Sequence, residues 1–279
     1  LAFGDIWVRM AAAPDTLPRR IERLPGVTQA IGRQVEEVRV VLKDRDVDQV
    51  TGRLISLPAE RQPAINRVRV IEGRYLRPQG GREALLEASF AKAHNYKPGD
   101  YIYPSLFGEE IRFRIVGLVQ SPEYIYAIQS EQILVPTPET FGVIFIPERQ
   151  AERLFSTGGS INEICLHVEP GQTDAVAARI EPITDRYGGE EPVTRAEQPS
   201  NKLLMMDLDG YRTMAVIFPL LFLTAGVLTT YTLLARIVQA QRAQIGILRA
   251  TGFTQKALLV HYLYTVSYTH LTLPTKRIV

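Results

Sequence analysis

Apolar and polar positions in the first 200 residues alternate with two different periods. Period-two stretches such as "DIWVRM" (Asp5–Met10) and "EEIRFRIVGLV" (Glu109–Val119) predict half-buried strands. The spacing of apolar residues in "TLPRRIERL" (Thr16–Leu24) and "TDAVAARIEPITDRY" (Thr173–Tyr187) predicts short helices, the second interrupted by its proline. Because strands and helices alternate along the chain, the pattern predicts an α+β domain, with two lobes, over residues 1–200.

The same two periods predict the remaining elements of this domain. A turn at Phe107-Gly108 is expected to close a hairpin. Glu83 and Glu87 stand one helical turn apart, which is typical of a solvated helix face. Further strands are predicted at 35–44, 52–57, 66–73, 101–106 and 161–169, and further helices at 87–95 and 147–155.

A different pattern begins at Thr213. From there to Ala235 the chain reads "TMAVIFPLLFLTAGVLTTYTLLA" without one charged residue. About twenty apolar residues in a helix cross the ~30 Å hydrocarbon layer of a membrane, and a buried core helix is the alternative. Pro219 and Gly226 fit a membrane helix, which tolerates both residues.

Charges on either side of this run predict its orientation. Four basic residues follow it, whereas two aspartates and one arginine precede it. The positive-inside rule then places the C-terminal side in the cytoplasm and residues 1 to about 210 outside. A second apolar stretch, "ALLVHYLYTV", begins at Ala257 and predicts the start of a returning span over 257–265. The basic residues are Arg236, Arg242, Arg249 and Lys256.

Composition narrows the classes of function. The net charge of +2 among 279 residues argues against a dedicated nucleic-acid binder. The single cysteine, Cys165, is expected to be a small buried strand residue rather than a reactive thiol. The chain opens without an initiator Met, which we interpret as a fragment, and residues 266–279 resemble a non-native tail, so His270 and Lys276 are given no role.

Catalytic and cofactor motifs are absent from the sequence. The histidines have no metal-binding spacing, and neither a nucleophile elbow nor a phosphate-binding loop is present. We therefore expect no catalytic, metal or cofactor site in this chain. Two aromatic residues, Tyr124 and Tyr126, suggest a possible contact patch on the outer domain, and packing between the lobes is the alternative.

The segment "QRAQIGILRATGFTQ" directly follows the apolar run and predicts a short helix. Gln241, Ile245, Leu248 and Gly252 fall on one stripe of that helix, beside a second stripe that carries arginines. Gly252 suits a left-handed helix end, and Thr254 suits the cap of the next helix. The segment is either a basic membrane anchor or a docking surface for a partner groove lined with acidic residues.

This membrane helix followed by Arg-x-x-Ile-Gly-x-Leu-Arg-Ala-x-Gly resembles the MacB/FtsX-like family of ABC-transporter permeases. The outer-domain stretches "RIERLPGVTQA", "EGRYL", "FAKAHNYKPGD" and "IVGLVQSPEY" are similar to the same family. Gln244 stands where the family usually has an acidic residue. The residues assigned to an ATPase-coupling segment are Arg242, Gln244, Ile245, Gly246, Leu248, Arg249, Gly252 and Phe253.

The resemblance implies a transport subunit of the bacterial plasma (inner) membrane rather than an enzyme. Residues 1–200 would be a MacB-like extracytoplasmic domain and residues 201–265 the start of an FtsX-like membrane domain, with coupling at about 236–256. The expected partners are a separate ABC ATPase that carries ATP and Mg²⁺, a second permease subunit, the lipid bilayer, and lipoprotein, lipid, peptide or drug cargo. A span before the first residue is expected from the same resemblance.

Two other functions are open from the sequence. A membrane-anchored sensor or ligand-binding module would continue into a cytoplasmic domain instead of returning through the membrane from about Ala257. A membrane-tethered hydrolase would need a nucleophile and a base, and no such arrangement is visible in the sequence.

Overall fold

The computed structural model of the chain describes residues 3–42, 50–127 and 138–271. Its contacts divide the chain into two units, Leu1–Asp207 and Leu208–Val279, and each is described by itself. The first unit is a mixed α+β domain with two sheets, which confirms the predicted fold class. Its boundary lies a few residues beyond the predicted position 200 because a long helix begins inside it at Pro199.

A four-stranded antiparallel sheet forms the first lobe, called the small lobe. Along the chain it reads strand, helix, strand, then strand, helix, strand, and the spatial order is β12-β1-β11-β2. This is the ferredoxin-like arrangement. Its elements are β1 (Ile6–Pro14), α1 (Leu17–Ile21), β2 (Val27–Arg33), β11 (Ser160–Val168), α4 (Thr173–Thr184) and β12 (Val193–Thr194).

The two helices of the small lobe cover one face of its sheet. Ile21 of α1 and Ile180 of α4 are fully buried there, in one cluster with Ile6, Val8 and Leu166 of the strands. The opposite face carries a smaller cluster of Trp7, Ile65 and Cys165. Cys165 is fully buried, which confirms the sequence interpretation of this residue.

The second lobe is inserted between β2 and β11 and is called the barrel lobe. Its eight strands lie in the order β5-β9-β6-β10-β4-β3-β7-β8, and a further pairing of β9 with β7 closes six of them into a ring. Closure pairs strand edges that would otherwise be exposed. Its elements are β3 (Val35–Val41), β4 (Val50–Leu57), β5 (Arg69–Gly73), β6 (Glu83–Glu87), α2 (Ala88–Ala93), β7 (Tyr101–Leu106), β8 (Glu109–Glu110), β9 (Phe113–Gln120), β10 (Phe141–Pro147) and α3 (Glu148–Phe155).

A glycine lets helix α2 approach the barrel closely. Phe90 of α2 is fully buried, and its ring lies against Gly142 of β10. A Cβ atom at Gly142 would stand 2.9 Å from that ring. Any larger residue at this position would therefore push α2 away from the sheet.

Several predicted elements of the first unit are confirmed and some are wrong. The Phe107-Gly108 turn has positive φ at both residues, 49° and 88°, as a tight hairpin requires. The solvated helix face predicted for Glu83 and Glu87 is wrong, because both residues are buried at the ends of strand β6. Pro182 lies inside α4 and does not interrupt it, although a short 3₁₀ turn follows the helix.

The second unit contains helices. α5 (Pro199–Ala240) begins in the first unit and is followed by α6 (Arg242–Ala250) and α7 (Gln255–Leu271). α7 covers the predicted start of a returning span at 257–265. It continues into the predicted tail, of which residues 272–279 lie outside the described part of the chain, as do Asp44 and Ile128 of two predicted stretches.

Candidate functional site

Helix α5 contains the predicted apolar run without a break. It has 42 residues, and its most apolar window has a mean hydropathy of 1.9 with no residue buried. Within the described residues it is the one helix long and apolar enough to cross a membrane. The predicted span, about 213–235, is ~35 Å long at 1.5 Å per residue, so α5 extends beyond it at both ends.

Threonine hydroxyls along α5 are satisfied within the helix itself. Thr224 donates to the carbonyl oxygen of Leu220 and Thr229 to that of Ala225, both at 2.8 Å. An unpaired hydroxyl is costly in hydrocarbon, and this local bond removes the cost. The apolar part of α5 is therefore compatible with lipid despite its polar residues.

Helix α6 starts one residue after α5 ends and has two different faces. Ile245 and Leu248, on the predicted apolar stripe, are half-buried, and Gln241 at the start of that stripe accepts a hydrogen bond from the Tyr262 hydroxyl of α7. Arg242 and Arg249 are exposed. The basic face of α6 is thus available to a partner, whereas the stripe is partly covered.

The end of α6 has the geometry of a Schellman motif. Gly252 has φ of +103°, and its N–H donates to the carbonyl of Arg249 at 3.1 Å. The next N–H, of Phe253, donates to the carbonyl of Leu248 at 3.1 Å. The predicted left-handed role of Gly252 is confirmed, and the Thr254 hydroxyl caps α7 by accepting from the N–H of Ala257 at 3.3 Å.

Apolar residues near this turn are also exposed. Ile247 has 65% of its surface exposed and Phe253 has 55%. Gln244 and Gly246 are exposed on the same helix. Sequence reasoning did not select Ile247, because it lies off the stripe that was expected to dock. The docking role of the whole segment stays a prediction.

A second candidate site lies where the chain passes between the two lobes. Gln34 joins β2 to β3, and its side chain donates to the carbonyl of Ser160 at 2.8 Å, at the start of β11. Asn162 of β11 accepts from the N–H of Val35 and donates to its carbonyl, both at 2.8 Å. The segment that leads from β2 into the barrel lobe is therefore bonded to the start of β11, where the chain returns to the small lobe. We call this region the lobe junction.

Arg33 is at the centre of the lobe junction and is buried between two glutamates. Its Nη1 and Nη2 donate to the two carboxylate oxygens of Glu123 at 2.7 and 2.6 Å. Its Nε donates to Glu163 at 2.5 Å. All three residues are at most 5% exposed. The network joins β2 and β11 of the small lobe to a turn that follows β9 of the barrel lobe.

Further side chains complete the network. Trp7 Nε1 donates to Glu123 at 2.6 Å, and Arg9 approaches Glu163 at 3.4 Å. Although burial opposes ionisation of Glu163, the charges of Arg33 and Arg9 hold its pKa below the usual value. Burial also opposes the charge on Arg33, and the facing carboxylates nevertheless raise its pKa well above normal. The pair of Arg33 and Glu163 is therefore charged at neutral pH.

Tyr124 packs in the core of the barrel lobe beside this network. It is buried, and Arg53 Nη1 approaches its hydroxyl at 3.5 Å. Burial raises the pKa of Tyr124, so its hydroxyl stays neutral. Tyr124 is thus buried in the barrel lobe, whereas Tyr126 is half-exposed, and the predicted contact patch stays a prediction.

A short turn, residues 121–127, connects the lobe junction to the start of α5, and we call it the connecting turn. Gln198 Nε2 donates to the Glu123 carbonyl at 2.7 Å. The Tyr126 N–H donates to the Ser200 hydroxyl at 3.0 Å, and the Tyr126 hydroxyl donates to Asp207 at 2.6 Å. Three hydrogen bonds therefore hold the first turns of α5 against the connecting turn.

The beginning of β1 is bonded to the same region. Arg195 donates to the backbone carbonyls of Phe3 and Gly4 at 2.5 and 2.9 Å and pairs with Asp5 at 2.7 Å. His167 contacts the same Asp5 carboxylate at 2.7 Å through Nδ1, which agrees with a satisfied surface residue rather than a ligand. The chain therefore enters the small lobe next to the point where it leaves for α5.

A cavity of about 300 Å³ opens between the lobes beside the connecting turn. Trp7, Tyr124 and Tyr126 contribute aromatic walls, and Glu190 and Glu191 are exposed at it. Within the described residues, no group of three or more His, Cys, Asp or Glu side chains could hold a metal ion.

Sequence reasoning missed the lobe junction, although one pattern could have revealed part of it. Glu163 and Cys165 are two apart on a strand and so share a face of β11. Because Cys165 was expected to be buried, a charged residue beside it required a partner. Nothing local in the sequence points from Glu163 to Arg33 or Glu123, which are distant along the chain.

No protein-family profile and no curated protein matches this chain. Among solved structures, it is similar to the extracellular domain of the noncanonic ABC-type transporter YknZ from Gram-positive bacteria. That match has 13% identity and a TM-score of 0.44, and covers 67% of this chain and 96% of that one. It is also similar to the periplasmic region of MacB from Actinobacillus actinomycetemcomitans, with 9% identity, a TM-score of 0.42, and 74% and 92% coverage. At these TM-scores the two likenesses carry no weight for function.

Proposed function

We propose that the chain is a permease subunit of an ABC transporter of the MacB/FtsX-like type. Its outer domain would be linked by α5 to a cytoplasmic coupling segment in α6. The observation that carries the proposal is the direct succession of an apolar 42-residue helix, a single residue, and a basic helix that ends in a Schellman turn. This is the arrangement expected of a membrane segment that presents a rigid surface to a cytoplasmic partner.

The exposed face of α6 suits a separate ATPase as that partner. Arg242 and Arg249 can pair with acidic residues, while Ile247 and Phe253 supply apolar contacts. Gln244 would contribute a hydrogen bond where the family usually offers a charge. ATP and Mg²⁺ would be bound by the ATPase, and its closure would be passed through α5 to the outer domain.

Cargo would be handled outside the membrane by the two-lobed domain. Lipoprotein, lipid, peptide or drug molecules are the classes that the family resemblance suggests. A second permease subunit would complete the membrane part, and the plasma membrane of a bacterium would be its location, with residues 1 to about 210 outside.

The decisive experiment is co-purification of the membrane-inserted protein with its ATPase. We expect Arg249→Glu to reduce the recovered ATPase at least ten-fold, because a favourable charge pair becomes a repulsive one. Arg249→Lys keeps the charge and should retain most binding.

Membrane insertion must be equal among these variants for the comparison to count. Undiminished ATPase recovery with Arg249→Glu would reject the coupling role of α6. A reporter fused after the complete next span separates the sensor alternative: an outside location agrees with the permease, and an inside location favours the sensor.

A further inference from the structure

The connecting turn touches three parts of the outer domain at once. Its Glu123 side chain binds Arg33 and Trp7 of the small lobe. Tyr124, the next residue, is buried in the hydrophobic core of the barrel lobe. The backbone carbonyl of Glu123 accepts from Gln198, just before α5, and the N–H of Tyr126 donates to Ser200 in the first turn of that helix.

Gln198 has two functions in this contact. Its Oε1 accepts from the N–H of Asn201 at 2.7 Å, which caps the start of α5, while its Nε2 donates to the connecting turn at 2.7 Å. Pro199 follows as the first residue of the helix, a position that suits proline. The start of α5 is thus fixed in place by the same side chain that binds it to Glu123.

The chain itself attaches α5 only to the small lobe, through β12 and Arg195. Without the connecting turn, a displacement of α5 would reach the barrel lobe only indirectly. We propose that the connecting turn is a clamp that ties the first turns of α5, up to Asp207, to the lobe junction, so that this part of the helix and both lobes move together. A role of the clamp in transport rests on the proposed function, whereas the clamp itself rests on the hydrogen bonds of the connecting turn.

The clamp has a firm end and a weaker end. Ser200 is 2% exposed and accepts its hydrogen bond out of water, whereas Tyr126 and Asp207 meet where solvent reaches them. Buried hydrogen bonds resist opening more than exposed ones. Opening therefore begins at Asp207, two turns into the helix, and proceeds toward Gln198.

The experiment is amide hydrogen exchange of residues 199–207 in the full chain, inserted in lipid nanodiscs. Tyr126→Phe removes only the hydroxyl that binds Asp207, and Gln198→Glu keeps the cap acceptor but removes the donor to Glu123. We expect each to speed exchange in this segment by about two- to ten-fold, the range that follows from losing one hydrogen bond. The double variant should exceed either single one.

Tyr103→Phe, in β7 of the barrel lobe, is the matched control and should leave exchange in 199–207 unchanged. Unchanged exchange in both test variants would overturn the clamp. Faster exchange in the control as well would also overturn it, because the effect would then be general loosening. Failure of the ATPase co-purification with the exchange result intact would reject the permease and leave the clamp standing.

Discussion

The lobe junction and α6 both depend on arginines, but they use them in opposite ways. Arg33 is buried, and its guanidinium donates to two carboxylates, so its charge is neutralised within the domain. Arg242 and Arg249 are exposed on a short helix. A buried ion pair is costly to break from one side, whereas an exposed charge contributes little to folding and is free to bind. Arg33 thus holds the two-lobed domain together, whereas Arg242 and Arg249 are available to a partner.

The largest effect is expected at the lobe junction. Arg33→Met removes the cation that binds both Glu123 and Glu163, and Glu163 keeps the longer contact with Arg9. Two buried carboxylates lose their main partner, so we expect the free energy of unfolding to fall by about 3–5 kcal/mol. Urea unfolding of the protein, followed by tryptophan fluorescence of Trp7, measures it. Arg249→Glu serves as the contrast and should change the same quantity by less than about 0.5 kcal/mol. Equal losses in both variants would contradict the comparison.

The next effect is a dependence of stability on pH. The folded-state pKa of Glu163 is lowered, so its contribution is present above the unfolded value near 4.5 and is lost as pH falls below it. Stability of the two-lobed domain should therefore decrease between about pH 5 and pH 3. Unfolding curves at several pH values measure this slope. In Glu163→Gln the slope should become shallower, and an unchanged slope would show that other carboxylates account for it.

Gly246 of α6 and Gly252 of the turn after it should give smaller effects of opposite sign. Gly252→Ala places a side chain at φ of +103° and should destabilise the turn by about 1–3 kcal/mol. Gly246→Ala lies mid-helix, where an added Cβ meets no atom within 4 Å, and should stabilise α6 by about 1 kcal/mol. Hydrogen exchange of residues 242–254 reports both changes. The same direction in both variants would rule out the Schellman turn as the cause.

Much of the pattern of elements could be predicted from the sequence, because it depends on local periods. The predicted strand at 101–106 coincides with β7, and the turn at Gly252 follows from the need for a left-handed residue. The error at Glu83 and Glu87 has a physical cause. A separation of four places two residues on one face of a helix and also on one face of a strand. The partners of the two side chains distinguish the strand from the helix, because Arg74 binds Glu83 and Glu87 caps α2.

The lobe junction could not be predicted because its members are far apart in sequence. Arg33 and Glu123 are 90 residues apart in the chain and are brought together by the closed barrel and the small sheet of the folded domain. The two tyrosines of the connecting turn suggest a contact patch, but nothing in the sequence indicates that Glu123, which stands between Pro122 and Tyr124, belongs to an ion pair. A single charged residue in a loop has no local feature that distinguishes a buried ion pair from a solvated one.

The insertion of the barrel lobe has a consequence for how such a protein can change over time. Arg33, the last residue of β2, is the direct partner of Glu163 in β11, so the strand that leads out of the small sheet and the strand that returns to it are neighbours. A short loop from β2 to β11 would therefore preserve the small sheet. If a different insert replaced the barrel lobe, the small sheet would keep its chain connection to α5 through β12. Arg33 would keep Glu163 and lose Glu123, so such an insert would have to supply one carboxylate to restore the buried pair.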